Sequence, residues 1–491
     1  MPRLTILLLL VVMLSGCAET PNDAIRFGLS RFPVTLDPRQ ATDAASSRIN
    51  RLLYQQLVDF DDEYRPVPAL ATWQQLEPDH YRFTLKPDRR RFSDGTRLTA
   101  YDVKATYDYI LDPANASPHR VSLSHIRRIR VVDENQIDFY LSRMDALFPG
   151  RLVIGIVPAQ LEAGHSLNRR PVGSGEFAIR SWTASVLHLV RLRDHQMIDF
   201  VEVPDPTVRV LKLLKGEVDI IQNDLPPELS SYLSRRPEIR VIQGPGSNFA
   251  YLGFNMQDDA VGQLPVRQAI ACAIDRQGII KHVLGGAART ANAILTPDHW
   301  AGDPDLENIA YDPAHALEIL HRLGYSKDWP LHLVYKTSSD PFRLRLATII
   351  QQQLAEVGID VELRSYDWGT FYSDIKNGRF QMYSLMWVGV KLPDIFRYVY
   401  HSEAVPPNGA NRGRFVNAAV DRLIDRADTL PDLSAQAVVY RQLQEMIHSK
   451  LPYVPLWYED HVAAVRNDIK GYELARDGNY DGLNLVLRTE D

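Results

Sequence analysis

At 491 residues the chain is longer than one hydrophobic core ordinarily holds, so two or three lobes are expected. A net charge of −6, with acidic and basic residues interspersed, excludes the one-sided basic footprint of a nucleic-acid binder. Fourteen scattered histidines form no His-Glu-x-x-His, and there is no Cys pair and no glycine-rich phosphate loop followed by Lys. No metal and no cofactor is therefore expected, and a hydrolase would have to assemble its triad from distant positions.

At the amino terminus Arg3 precedes an apolar run from Ile6 to Leu14, then Ser15-Gly16-Cys17. The run is too short to span a bilayer and has the shape of a secretory h-region. Leu14-Ser15-Gly16-Cys17 resembles the bacterial lipobox, which implies a signal peptide over residues 1–16, lipidation of Cys17 and a tethered linker over 17–23. Cys272 would then be the one free thiol. It lies in an apolar, helix-like run and is expected to be packed and inert.

The mature chain opens on an alternating strand around Ile25 to Leu29, followed by a Pro-containing loop. That loop brings Arg31 and Phe32 toward a cleft, or leaves a solvated Arg beside a packed Phe. Residues 52–58 show helical spacing, 81–85 and 137–141 alternate as strands, and Thr99 to Asp102 has capping-box spacing before a helix to about Leu111. Gly173-Ser174-Gly175 predicts a tight turn, since the further glycines or lysine of a nucleophile elbow or phosphate cradle are missing. A helix over 208–214 stops at Gly216, and the segment after Gly244-Pro245-Gly246-Ser247-Asn248 predicts one extended inter-lobe crossing. One helix is predicted over 266–283, and Asp312-Pro313 opens another.

From residue 331 strands and helices alternate: strand 331–335, helix 341–357, strand 359–363, helix 370–376, strand 380–388. This rhythm predicts a mainly parallel sheet. The last strand reads as buried on both faces, with Gly389 permitting a close backbone approach and Pro393 ending the ladder. Ligands in open α/β sheets lie beyond the carboxyl ends of strands, so Trp387 is either core or the wall of a cleft, with Trp368 beside it. A helical region over 417–450 leads to an edge strand marked by Pro455, and residues 469–472 are expected to form the second crossing.

Taken in order, several segments resemble the bacterial extracellular solute-binding proteins of family 5, the peptide-binding class that serves ABC importers. They are Leu36-Asp37-Pro38, Pro68-Ala69-Leu70-Ala71-Thr72-Trp73, Phe92-Ser93-Asp94-Gly95-Thr96 through Val103, Leu214-Lys215-Gly216-Glu217-Val218-Asp219, and Tyr311-Asp312-Pro313 with Leu323-Gly324-Tyr325. The resemblance implies an α/β fold of the periplasmic binding protein type II kind, two α/β lobes joined by a two-strand hinge, with an extra α+β lobe inserted near the amino end. Lobe I would comprise residues 24–40, 171–246 and 467–491, lobe II 41–170, and lobe III 247–466. Ligand would be trapped as the lobes close.

The resemblance also implies that the segment from Tyr383 through Trp387, Val388 and Gly389 to Val390 pairs with the ligand through its backbone, and that Trp368 and Trp387 line side-chain pockets; Arg31 and Phe32 of the first loop and Asn248 are further candidate contacts. Where peptide-binding relatives carry an Asp for the ligand's α-ammonium, this chain has Val390; Asp394 could substitute, whereas Lys391 would attract a carboxylate. The implied function is an extracytoplasmic, lipid-anchored, monomeric binding protein without chemistry of its own, delivering peptides or peptide-like solutes to a permease and ATPase complex. Opines, sugars, metal chelates or haem, and a sensing role, stay open as alternatives.

Overall fold

The computed structural model describes residues 24–88, 91–161 and 166–489. The expected signal peptide, Cys17 and the expected linker lie outside the described residues. Two long strands organise the remainder. Ile239–Phe254 and Tyr453–Arg466 run antiparallel through a single 11-stranded sheet, paired from Ile239 with Arg466 to Gly253 with Tyr453.

On one side of the crossing strands, Ile220–Gln222 joins Tyr453–Arg466 to the parallel pair Ile25–Leu29 and Met197–Glu202, and two antiparallel strands complete that half. Its core gathers Phe27, Leu189 and Phe200 with Tyr472, Tyr480 and Val486, so the carboxyl end of the chain returns to the first half. Ile49, Leu52 and Leu53 of the helix Ala44–Leu53 belong to the same core. That helix stops at Leu53, and Val58 already starts a strand, because Tyr54 turns extended at the C-cap. A separate four-stranded antiparallel sheet, Ala71–Glu77, His80–Leu85, Gln136–Leu141 and Ile126–Val131, packs under the helix Ala100–Leu111. Thr99 and Asp102 form the reciprocal capping box that their spacing predicts.

On the other side, Leu331–Ser338 pairs in parallel with Ile359–Tyr366 and Met382–Trp387, while Met382–Trp387 runs antiparallel to Ile239–Phe254. Helices cover both faces of this half and make two cores. Among the described residues three α-helices, one in the first half and two in this one, begin with Asp followed by Pro. Asp205, Asp312 and Asp340 each accept a backbone N–H three residues on, at 2.9, 2.8 and 2.9 Å, satisfying donors that the first turn leaves orphaned.

Several expectations are corrected. The second crossing is Tyr453–Arg466; Ile469–Lys470 instead pairs with Leu487–Arg488. Pro455 lies inside a central strand, tolerated because the ladder slips there: Ala250 faces Trp457 while Tyr251 faces Pro455, leaving Leu456 as an extra residue. The helix expected over 266–283 is two, Leu264–Ala273 and Arg276–His282, since Asp275 leaves the helix and caps the second through Gly278 N–H at 2.8 Å. Gly173 and Gly175 make no tight turn. A Cβ on Gly173 would sit 1.9 Å from the Leu53 carbonyl oxygen, so these glycines serve a close backbone approach. Gly389 shows the opposite: it has φ +69° with open space around it, so it supplies a left-handed bend.

Candidate functional site

The strand Met382–Trp387 shares only two residue pairs with Leu331–Ser338, Tyr335 with Met382 and Lys336 with Tyr383. Beyond them Leu331–Ser338 continues beside Ile359–Tyr366, while Met382–Trp387 continues beside Ile239–Phe254. The two parallel neighbours therefore diverge at their carboxyl ends. Among the described residues no strand pairs with 384–387 on the side facing the split. Strands that part in this way open a crevice at a switch point of the sheet.

A cavity of about 250 Å³ occupies this split. Ser338, Ser384, Met386, Val388, Trp368 and Leu346 are among its walls, a mainly apolar lining with a few hydroxyls. Trp368 stands on the first turn of Trp368–Lys376, 59% exposed, with its ring stacked on Tyr372 at 5.4 Å. Asp367 fixes that turn by accepting from Thr370 N–H at 3.1 Å. Val388 is 57% exposed at the cavity rim.

Trp387, on the opposite face of its strand from Met386 and Val388, pairs with Phe249 and stacks on Tyr251 at 6.4 Å. The strand is fully buried at Met382 and Tyr383 but only half-buried from Ser384 to Trp387, so the expectation of burial on both faces holds for its first part alone. Tyr383 is completely buried, edge-on to Phe380 and Tyr251 at 4.7 and 5.9 Å. Its side chain belongs to the core and leaves only main chain for any ligand. Val390 packs half-buried on the same core. Asn248 is half-buried at the crossing, opposite Glu459.

The fold does not bring Arg31 and Phe32 to this cavity. Arg31 is exposed, and Phe32 packs edge-on against Trp182 at 5.9 Å, in the first half. Asp394, weighed as a stand-in for an ammonium partner, is held 2.5 Å from Arg151, which Asp145 also grips at 2.7 Å. Lys391 reaches Asp477 at 2.6 Å.

These pairs belong to a belt that joins the second half to the first and to the antiparallel lobe. His299 lies at its centre, between Tyr64 and Trp300, with Nε2 3.1 Å from the Lys391 carbonyl and Nδ1 accepting from Ala301 N–H at 3.0 Å. Burial lowers its pKa to about 4 and keeps the ring neutral. Arg476 pairs with Asp298, and Trp300 N–H donates to the Glu63 carbonyl at 2.9 Å.

Sequence reasoning missed Tyr251, Tyr372 and Arg412. Arg412 is 7% exposed and lies 4.7 Å over the Trp387 ring. Only an aromatic-rich strand facing a distant loop would have pointed to it, and that pairing is not visible along the chain. Among the described residues no group of His, Cys, Asp and Glu is placed to hold a metal ion.

Two α/β halves joined by two crossing strands, with a crevice at a strand switch point, make the architecture of type II periplasmic binding proteins. Residues 65–405 match the family described as bacterial extracellular solute-binding proteins, family 5, and the chain belongs to that family of ABC-importer solute-binding proteins. It is similar to the dipeptide-binding protein of Escherichia coli, 26% identical over 477 residues covering 89% of each chain. It is also similar to the peptide transport periplasmic protein SapA of Salmonella typhimurium, 29% identical over 91% of this chain and 88% of that one. The ABC transporter substrate-binding protein CtaP of Listeria monocytogenes superposes with a TM-score of 0.84 at 22% identity, covering 95% of this chain and 99% of that one, and shares the fold.

Proposed function

We propose that the chain captures small peptides or peptide-like solutes outside the cytoplasm and hands them to a membrane permease driven by an ATPase. The lobes 24–40 with 171–246 and 467–491, 41–170, and 247–466 act as its moving parts, and a lipid on Cys17 tethers it as a monomer. It has no chemistry of its own. The observation that carries this reading is the unpaired edge of 384–387 above an apolar cavity: an extended ligand adds as a strand to that edge and drops a side chain into the cavity. Trp368, Trp387, Val388, Gly389 and Val390 line its path, Asn248 sits near the hinge, and Arg31 and Phe32, which lie away from the cavity on the opposing lobe, would meet the ligand only through lobe closure. The names of the Escherichia coli and Salmonella typhimurium relatives support a peptide ligand.

A second reading, a non-peptide solute, is favoured by one residue. Val390 offers no carboxylate to an α-ammonium, and the nearby Asp394 and Asp477 already have cationic partners. Native mass spectrometry of protein purified from its own host tests both readings. A co-purified peptide supports the first, a non-peptide mass the second, and turnover of the bound solute would overturn binding without chemistry.

A further inference from the structure

Among the described residues, four arginines are nearly or fully buried without a carboxylate partner, and three of them are satisfied by backbone. Arg209, Arg267 and Arg276 each donate to three or more main-chain carbonyls. Arg412 is different. Its Nη1 donates to the Tyr251 hydroxyl at 3.0 Å and its Nη2 to the Tyr372 hydroxyl at 3.3 Å, and among the described residues no carboxylate lies within ion-pair distance. Two phenols are weak, neutral acceptors for a group with five donor hydrogens. The rings of Trp387 and Tyr372, 4.7 and 5.4 Å from the guanidinium carbon, supply cation–π attraction but no counter-charge.

The carboxylates nearest the hinge and cleft are all engaged: Asp394 with Arg151, Asp477 with Lys391, Glu459 with Arg343 and Asp460 with Arg289. The charge on Arg412 thus has no internal balance. A second unmet donor lies beside it, since the buried indole N–H of Trp387 has no hydrogen-bond partner among the described residues. Arg412 is flanked by Trp387 and by Tyr372, whose ring stacks on Trp368 of the cavity wall, so one aromatic ring separates the guanidinium from that wall.

We propose that Arg412, with the Trp387 indole N–H, forms an anion subsite that accepts a carboxylate of the bound solute. The proposal rests on the peptide reading above. A fork-shaped guanidinium matches a carboxylate in two-point fashion, and the aromatic surround strengthens that pairing by excluding water. The carboxylate comes from a peptide's carboxyl end or from an acidic side chain.

Calorimetry on the mature protein, freed of ligand, separates these. Probes are alanyl-phenylalanine, its carboxyl-terminal amide, and alanyl-glutamic acid α-amide, whose only carboxylate is on the side chain, against wild type and Arg412→Gln. The expected result is that wild type loses roughly 30-fold or more in affinity on amidation of alanyl-phenylalanine, and that Arg412→Gln binds acid and amide alike, both weakly. Tighter binding of the glutamic acid α-amide than of the phenylalanine amide, lost in Arg412→Gln, assigns the subsite to a side-chain carboxylate. Equal binding of all three by wild type overturns the proposal while leaving peptide binding intact, and does so even if Arg412→Gln fails to fold. Binding of none of the three peptides by wild type removes the peptide reading, and the proposal with it.

Discussion

Lys391 Nζ stands 2.6 Å from Asp477 Oδ2, joining the loop that follows Trp387 to the carboxyl-terminal region of the first half. Burial raises the Asp477 carboxyl pKa, but the Lys391 charge more than offsets it and holds the group below its usual range. Both partners are mostly buried, so removing one leaves the other uncompensated, at a cost of about 2–3 kcal/mol. Lys391→Met is expected to shift the chain toward an open form. Small-angle scattering should show a larger radius of gyration without ligand, and affinity should fall about 10- to 100-fold. An unchanged radius and affinity would show that the pair does not govern closure.

His299 predicts an acid sensitivity. Its folded pKa, lowered to about 4, lies below the unfolded value of about 6.5. The neutral ring therefore contributes stability that is fully present above pH ~6.5 and is lost as pH falls toward ~4, on the order of 3 kcal/mol. His119, His448 and His461 are also lowered by burial and act in the same direction. Thermal unfolding at neutral pH and at about pH 5 should show a drop that shrinks, without vanishing, in His299→Gln. An identical drop in that variant would assign the effect elsewhere.

The two tryptophans at the crevice should separate binding from folding. Trp368 is mostly exposed, so Trp368→Ala is expected to change unfolding by less than ~1 kcal/mol. Its loss from the cavity wall should still weaken ligand binding by about tenfold or more. Trp387→Ala is expected to lower both. Titration calorimetry beside thermal melts reads the two effects, and a Trp368→Ala protein with full affinity would remove that ring from the site.

Glycines in two kinds of setting make a paired prediction. Gly173→Ala puts a methyl 1.9 Å from the Leu53 carbonyl oxygen, backbone that cannot yield, and should cost about 2–4 kcal/mol. Gly389→Ala meets no atom within 4 Å and carries only the left-handed penalty of about 1–2 kcal/mol. Its effect should fall on affinity rather than on the melting temperature, because the bend aims Val390 and Lys391. Equal melting losses in the two variants would contradict this division.

The sequence made periodic elements legible and pairings illegible. Asp312-Pro313 and the alternation after residue 331 declare themselves because caps and hydrophobic period act over a few residues. The helix break at Asp275 and the interior place of Pro455 do not, since each depends on what the rest of the fold packs there. Trp368 and Trp387 were reachable through strand ends. Arg412 was not, because what marks it is the lack of a carboxylate in a neighbourhood drawn from Tyr251, Tyr372 and Trp387.

Where the crossing strands meet, Gly244 pairs with His461 and Asn248 with Glu459, so Pro245, Gly246 and Ser247 stand against Asp460 alone. A ladder with surplus backbone on one side can flex there while the paired stretches above and below stay intact. The two halves are expected to swing about this point as a pivot rather than to slide past one another. Any solute the chain accepts must fit the arc of that swing.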